Sequence, residues 1–133
     1  MIDLAGARVL CVAAHPDDEV IGCGATLARV AERGGEVRVL LPLKRSDPRG
    51  ITHWPQLLDQ FSQAVGHLGA QAIVPDNALG EERVAAELMA LHRLIDPFVE
   101  WCDIVFTHWF GDVHQAHRSV ARAVEIATRP FRR

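Results

Sequence analysis

The chain has 133 residues, 49% hydrophobic and 23% charged, with a formal net charge of −3, enough for one domain that buries roughly two-thirds of its unfolded surface. The acidic balance and the absence of a basic face argue against a general nucleic-acid binder, and Arg129, Arg132 and Arg133 read as a solvated tail. No apolar run approaches the ~20 residues of a membrane span, and Cys11, Cys23 and Cys102, without CxxC spacing or a signal-peptide layout ahead of them, point to reduced thiols in a cytoplasmic setting.

The first apolar, β-branched run, residues 7–14, reads as a buried parallel strand that includes Cys11 as core. A helix is expected over 22–33, stopped by Gly34 and Gly35, and a second strand over 36–43. A polar loop then leads to a helix over 55–68, opened by Pro55, with Leu57, Leu58, Phe61, Ala64, Val65 and Leu68 on one face. A strand over 71–74 and a loop at 75–77 precede a helix over 81–96, expected to break at Pro97. The last strand and helix fall at 103–107 and 114–128. The βαβαβαβα order implies a doubly wound, mainly parallel sheet of about four strands. In such α/β sheets ligands bind beyond the carboxyl ends of the strands.

Two motifs lie at that edge. His15-Pro16-Asp17-Asp18-Glu19 follows the first strand, and Asp112-Val113-His114-Gln115-Ala116-His117 follows the last. Loops rich in histidine and carboxylate at one sheet edge suit a divalent metal, which is hydrolytic when a coordination position stays open. His15 and Asp18, three apart on a tight loop, can reach one ion, and His117 is the best third ligand. Asp17 then serves as base toward the attacking water. His114, one helical turn before His117, is placed as an imidazolium for a developing oxyanion. His108, after the last strand, is a candidate for substrate contact or for support of a ligand. Either motif alone has a plainer explanation: acids in a first turn complement the helix dipole, and two histidines can simply lie on an amphipathic helix. A nucleotide-binding Rossmann domain is disfavoured because no glycine-rich turn follows the first strand. His53, His67 and His92 are expected at the surface, Trp54 and Trp109 at loop mouths, and Gly22 and Gly24 at a close backbone approach.

The chain resembles the PIG-L/LmbE family of zinc-dependent de-N-acetylases. The likeness rests on Ala14-His15-Pro16-Asp17-Asp18-Glu19-Val20-Ile21-Gly22, Gly24-Ala25-Thr26-Leu27-Ala28, Leu68-Gly69, Pro75-Asp76-Asn77-Ala78-Leu79, Thr107-His108 and the stretch Gly111 to Arg118. It covers essentially the whole chain and implies one Rossmann-like, three-layer domain over residues 1–133. The resemblance implies zinc, or another divalent first-row ion, on His15, Asp18 and His117, with Asp17 as general base and His114 at the scissile amide. It implies hydrolysis of the acetamide of an N-acetylglucosamine-type conjugate to acetate and free amine, and it puts Asp76 at the pocket edge against a sugar hydroxyl, where an Asx-type turn after Pro75 is the plainer reading of the same residue.

The chain departs from the family pattern in places. Alanine stands at position 116, where the family usually has aspartate, and Leu41 to Arg45 replaces a Thr-Asp-Gly-like turn. No basic residue appears near Gln56 and Leu57, and relatives run on for roughly a hundred residues more. The resemblance therefore also admits a truncated, catalytically weak metal-binding domain, with an exposed sheet edge open to self-association or a complementing chain.

Overall fold

The computed structural model describes residues 3–130, with residues 49–51 described by backbone alone; Arg132 and Arg133 of the expected basic tail lie outside it. The chain runs β1 (Arg8–Val12), α1 (Asp18–Glu32), β2 (Glu36–Leu40), β3 (Leu43–Lys44), α2 (Pro48–His67), β4 (Gln71–Ile73), β5 (Leu79–Gly80), α3 (Leu88–Trp101), β6 (Ile104–Phe106) and α4 (Gln115–Ala127). A short 3-10 turn at Glu81–Arg83 follows β5.

The main sheet has the order β4-β2-β1-β6 with every pair parallel. Side chains alternate across it with the period of two that a strand imposes. Val9 and Cys11 of β1, with Val37 and Val39 of β2, pack against Leu27 and Val30 of α1 and Phe61 and Val65 of α2. Leu10 and Val12, with Leu40, pack instead against Leu91, Ile95 and Val99 of α3 and Val120, Ala123 and Val124 of α4. The result is a three-layer α/β fold with two helices on each face, as the element order implied.

The strand order fixes where a site can form. From β1 the chain winds outward through β2 to β4, then returns to lay β6 on the other side of β1. The winding direction reverses between β1 and β6, and the crevice outside their carboxyl ends is the switch point at which ligands bind in such sheets. Asp103 ties the opposite end: its carboxylate accepts from Arg8 N (2.9 Å), Arg8 Nε (3.2 Å) and Arg8 Nη2 (2.7 Å).

Several expectations need correction. Helix α1 begins at Asp18, four residues earlier than expected. Gly22 has open space where a Cβ would stand and Gly24 only ordinary contacts, so neither marks a close approach. Helix α2 begins at Pro48 and carries Pro55 inside it, where the proline forgoes one main-chain bond without ending the helix. Helix α3 starts only at Leu88 and runs through Pro97 to Trp101. Val84, which fits the helical period, is buried as part of a turn instead. His92 is buried, not at the surface, with Nε2 3.7 Å from Asp96 Oδ1 one turn along the helix. The strand expected over 36–43 splits, because Leu43–Lys44 pairs in parallel with Leu79–Gly80 as a separate two-stranded sheet. Among the described residues no helix is long and apolar enough to cross a membrane.

The tightest backbone approach is at Gly35, where a Cβ would stand 2.4 Å from Val30 Cγ1, 2.9 Å from Ala7 O and 3.0 Å from Val30 O. Two of these atoms are backbone and cannot rotate away. Gly35→Ala is expected to destabilise the fold by about 1–3 kcal/mol, read as a lower midpoint in urea unfolding; an unchanged midpoint would contradict this packing.

Candidate metal centre

The chain leaves β1 and enters α1 within a few residues, and that turn carries the first half of the site. Asp18 Oδ2 accepts from His15 N at 2.8 Å, which closes the turn and brings the carboxylate to 3.4 Å from His15 Nδ1. Asp17 holds φ at 113°, the left-handed region, where aspartate is better tolerated than most side chains. Glu19 Oε2 accepts from Asp17 N at 3.1 Å. Glu19 is buried, its Oε1 has no hydrogen-bond partner, and desolvation pushes its carboxyl up from the usual range.

The second half comes from the loop between β6 and α4. His114 caps α4, its Nδ1 accepting from Ala116 N at 3.3 Å. A ring nitrogen that accepts needs its lone pair, so the neutral ring carries its proton on Nε2. The imidazolium expected here would forfeit that cap. His117, in the first turn, points its Nε2 to 3.2 Å from His15 Nδ1 and 3.3 Å from Asp18 Oδ2. Its Nδ1 lies 3.0 Å from Asp112 Oδ2, while Asp112 Oδ1 accepts from His114 N at 2.8 Å. Arg118 Nη1 fastens this loop by donating to Asp112 O and Val113 O.

The three expected ligands therefore converge. Their donor atoms form a triangle with sides of 3.2, 3.3 and 3.4 Å. Ligands at ~2.0–2.1 Å around a tetrahedral ion stand about 3.3–3.4 Å apart. Two imidazoles and one carboxylate at that spacing fit zinc and leave one corner open, and other first-row divalent ions accept the same donors.

The other expected residues are placed differently. Asp17 is exposed and lines a cavity of about 360 Å³ with His15, Arg45, Leu57, Glu81 and His114. His114 is 49% exposed, and its ring stacks on His117 with centroids 4.6 Å apart. His108 turns into the wall: its Nε2 accepts from Ala14 N at 2.9 Å and its ring stacks on His117 at 4.0 Å. Burial, then the neighbouring His117, lowers its pKa below the ordinary imidazole value. Asp76 is exposed in the loop between β4 and β5 and makes none of the hydrogen bonds or ion pairs of this cluster.

Glu81 was missed by the sequence reading. Its Oε1 lies 3.0 Å from His15 Nε2 and 3.9 Å from His114 Nε2. In sequence it reads as an acid in a first helical turn, and only the β3–β5 pairing carries it to the site. Arg45 follows β3 as Glu81 follows β5, and both line a cavity of about 620 Å³ beside His114.

A parallel α/β sheet with histidine and carboxylate ligand atoms gathered at its switch point defines the class. The family described as GlcNAc-PI de-N-acetylase, PIG-L, matches residues 10–128, and the chain belongs to it. A 1D-myo-inositol 2-acetamido-2-deoxy-alpha-D-glucopyranoside deacetylase from Kineococcus radiotolerans is 38% identical over 90 residues, 66% of this chain and 22% of that protein. Two solved structures superpose at 21% identity, which shows the fold alone. The A40926 pseudoaglycone deacetylase Dbv21 has a TM-score of 0.71, covering 92% of this chain and 59% of the other. The 4-carboxy-2-hydroxymuconate hydratase GalB of Pseudomonas putida has a TM-score of 0.72, covering 90% and 55%. The chain thus spans less than two-thirds of each of these proteins.

Charge pairing at the triangle sets a pH dependence for the metal-free protein. The hydrogen bond to Asp18, reinforced by Glu81, raises the His15 pKa against the opposing effect of burial. Burial is the largest influence on Asp18 and acts upward, but its hydrogen bonds with His15 and the imidazoles of His108 and His117 together bring it below the usual carboxylate range. The His15 contribution is complete below its unfolded value of ~6.5 and is lost as pH rises through the raised folded value. The Asp18 contribution is present above ~3.9 and is lost as pH falls through the lowered one. In chelator the His15 pairing should therefore add an alkaline fall in Tm, against the opposite slope from His108, whose lowered pKa disfavours the folded state at acid pH. His15→Asn should flatten that alkaline slope, and an identical slope in the variant would refute the assignment.

Proposed function

We propose that the chain hydrolyses the acetamide of an N-acetylglucosamine-type conjugate in a metal-dependent reaction, releasing acetate and a free amine. The observation that carries this reading is the 3.2–3.4 Å triangle of His15, Asp18 and His117 donor atoms, with the spare carboxylate of Asp17 on the adjoining cavity. A purely structural ion needs no such extra base. The deoxy-acetamidoglucoside named for the Kineococcus relative supports the substrate class.

His15, Asp18 and His117 would hold the zinc ion, which when bound would supply a Lewis acid for the amide carbonyl and lower the pKa of water toward ~7. Asp17 is the general base: its carboxylate takes a proton from the attacking water and returns it to the departing amine nitrogen. Glu19 holds Asp17 N, and through it the turn that presents this carboxylate. His114, a neutral donor through Nε2–H, stabilises the oxyanion that develops on the carbonyl oxygen. His108 supports His117 by stacking.

The test is metal content and acetate release from N-acetylglucosamine and its inositol glycoside, for wild type, Asp17→Asn and His114→Ala. One metal per chain is expected in all three. Turnover should fall by at least ~10²-fold in Asp17→Asn and ~10²–10³-fold in His114→Ala. Absence of metal from the wild type would overturn the reading. Metal with no acetate release would redirect it to other water-adding chemistry.

A further inference from the structure

We infer that Glu81 is a positioning residue, which fixes the His15 ring so that Nδ1 faces the metal; the inference rests on the metal-site reading above. His15 uses both ring nitrogens. Nδ1 belongs to the triangle, 3.4 Å from Asp18 Oδ2 and 3.2 Å from His117 Nε2. Nε2 points the other way and lies 3.0 Å from Glu81 Oε1. With a metal on Nδ1, the ring proton sits on Nε2 and donates to that carboxylate. Such a bond sets tautomer and ring rotation and raises the basicity of the ligating nitrogen.

His117 shows the same arrangement in mirror order. Its Nε2 enters the triangle and its Nδ1 meets Asp112 Oδ2 at 3.0 Å. Each ligating imidazole therefore has one nitrogen on the triangle and the other on a carboxylate from outside it. Asp112 stands in the same loop as its histidine. Glu81 is 66 residues from His15 and arrives only because β5 pairs with β3.

The alternative is that Glu81 is itself a ligand. His15, Glu81 and His114 do place donor atoms within 4.8 Å of one another. The Glu81 Oε1 to His114 Nε2 distance of 3.9 Å exceeds the about 3.3–3.4 Å edge of a tetrahedral site. A second ion there would also need the nitrogen of His15 that carries the proton, leaving a fully deprotonated ring between two cations. The geometry favours orientation over ligation.

The decisive measurement is zinc affinity by chelator competition, with zinc stoichiometry and the Tm of the metal-free protein, for wild type, Glu81→Ala and Glu81→Gln. Wild type should bind one zinc. Glu81→Ala should bind it ~10–100-fold more weakly, with a metal-free protein that still folds and loses only the part of its Tm due to the His15–Glu81 pairing. Glu81→Gln keeps an acceptor oxygen at the same reach without the charge, so its affinity should fall between the two. That ordering would not arise from packing alone. Affinity in Glu81→Ala equal to wild type would overturn the inference, as would two zinc ions in wild type and one in the variant. Should Glu81→Ala not fold, Glu81→Gln decides, and affinity equal to wild type overturns it. Zinc absent from the wild type would instead fell the parent reading.

Discussion

Within a handful of residues the chain leaves the centre of the sheet and starts a helix, and the strain of so short a turn falls on Asp17, at φ 113°. A non-glycine residue held there costs about 1–3 kcal/mol unless its surroundings fix it. Three features do so: Asp18 accepts from His15 N, Glu19 accepts from Asp17 N, and both acids sit in the first turn of α1, where the helix dipole favours negative charge. The same bonds aim His15 and Asp18 at one point and leave Asp17 facing outward. A longer, relaxed turn would separate the ligands from one another and from the base.

The rest of the site is arranged around that point by the sheet. Because β6 lies directly beside β1, Thr107 and His108 come against Val12 and Ala14, with His108 Nε2 accepting from Ala14 N. His117 then packs between the faces of His108 and His114, with ring centroids 4.0 and 4.6 Å away. Position 116 is alanine, and His117 has its carboxylate on Nδ1 from Asp112. Buried Ala116 faces the core with Val120 and Ala123, so an acid there would have to lie against apolar side chains.

How much of this was legible follows from the range of each signal. The layers, the four parallel strands and the convergence of His15, Asp18 and His117 were readable, because each rests on local periodicity or on a motif directly beyond a strand. Helix bounds were less readable: Pro55 looks like a start and Pro97 like an end, but each removes only one bond, and Val84 fits a helical period while serving as a buried turn residue. His92 was misplaced because which face of α3 turns toward the core is set by packing that a lone histidine does not announce. Glu81 was out of reach in principle. Its path to His15 depends on the pairing of two two-residue strands, too short for any sequence pattern to announce.

That small second sheet has a consequence for how the cleft can change. Its two strands run in the same direction, so the chain emerges from both at the same end, carrying Arg45 from one and Glu81 from the other. Residues 45–47 leave β3 at that end, where Arg45, Ser46 and Asp47 line the cavity beside His114, whereas residues 74–78 enter β5 from the other end. The sheet stands between the His15 side of the cleft and the 45–47 loop, with its paired residues held by the β3–β5 register. A change of length or charge in residues 45–47 would therefore reshape the cleft without disturbing the Glu81 contact to His15.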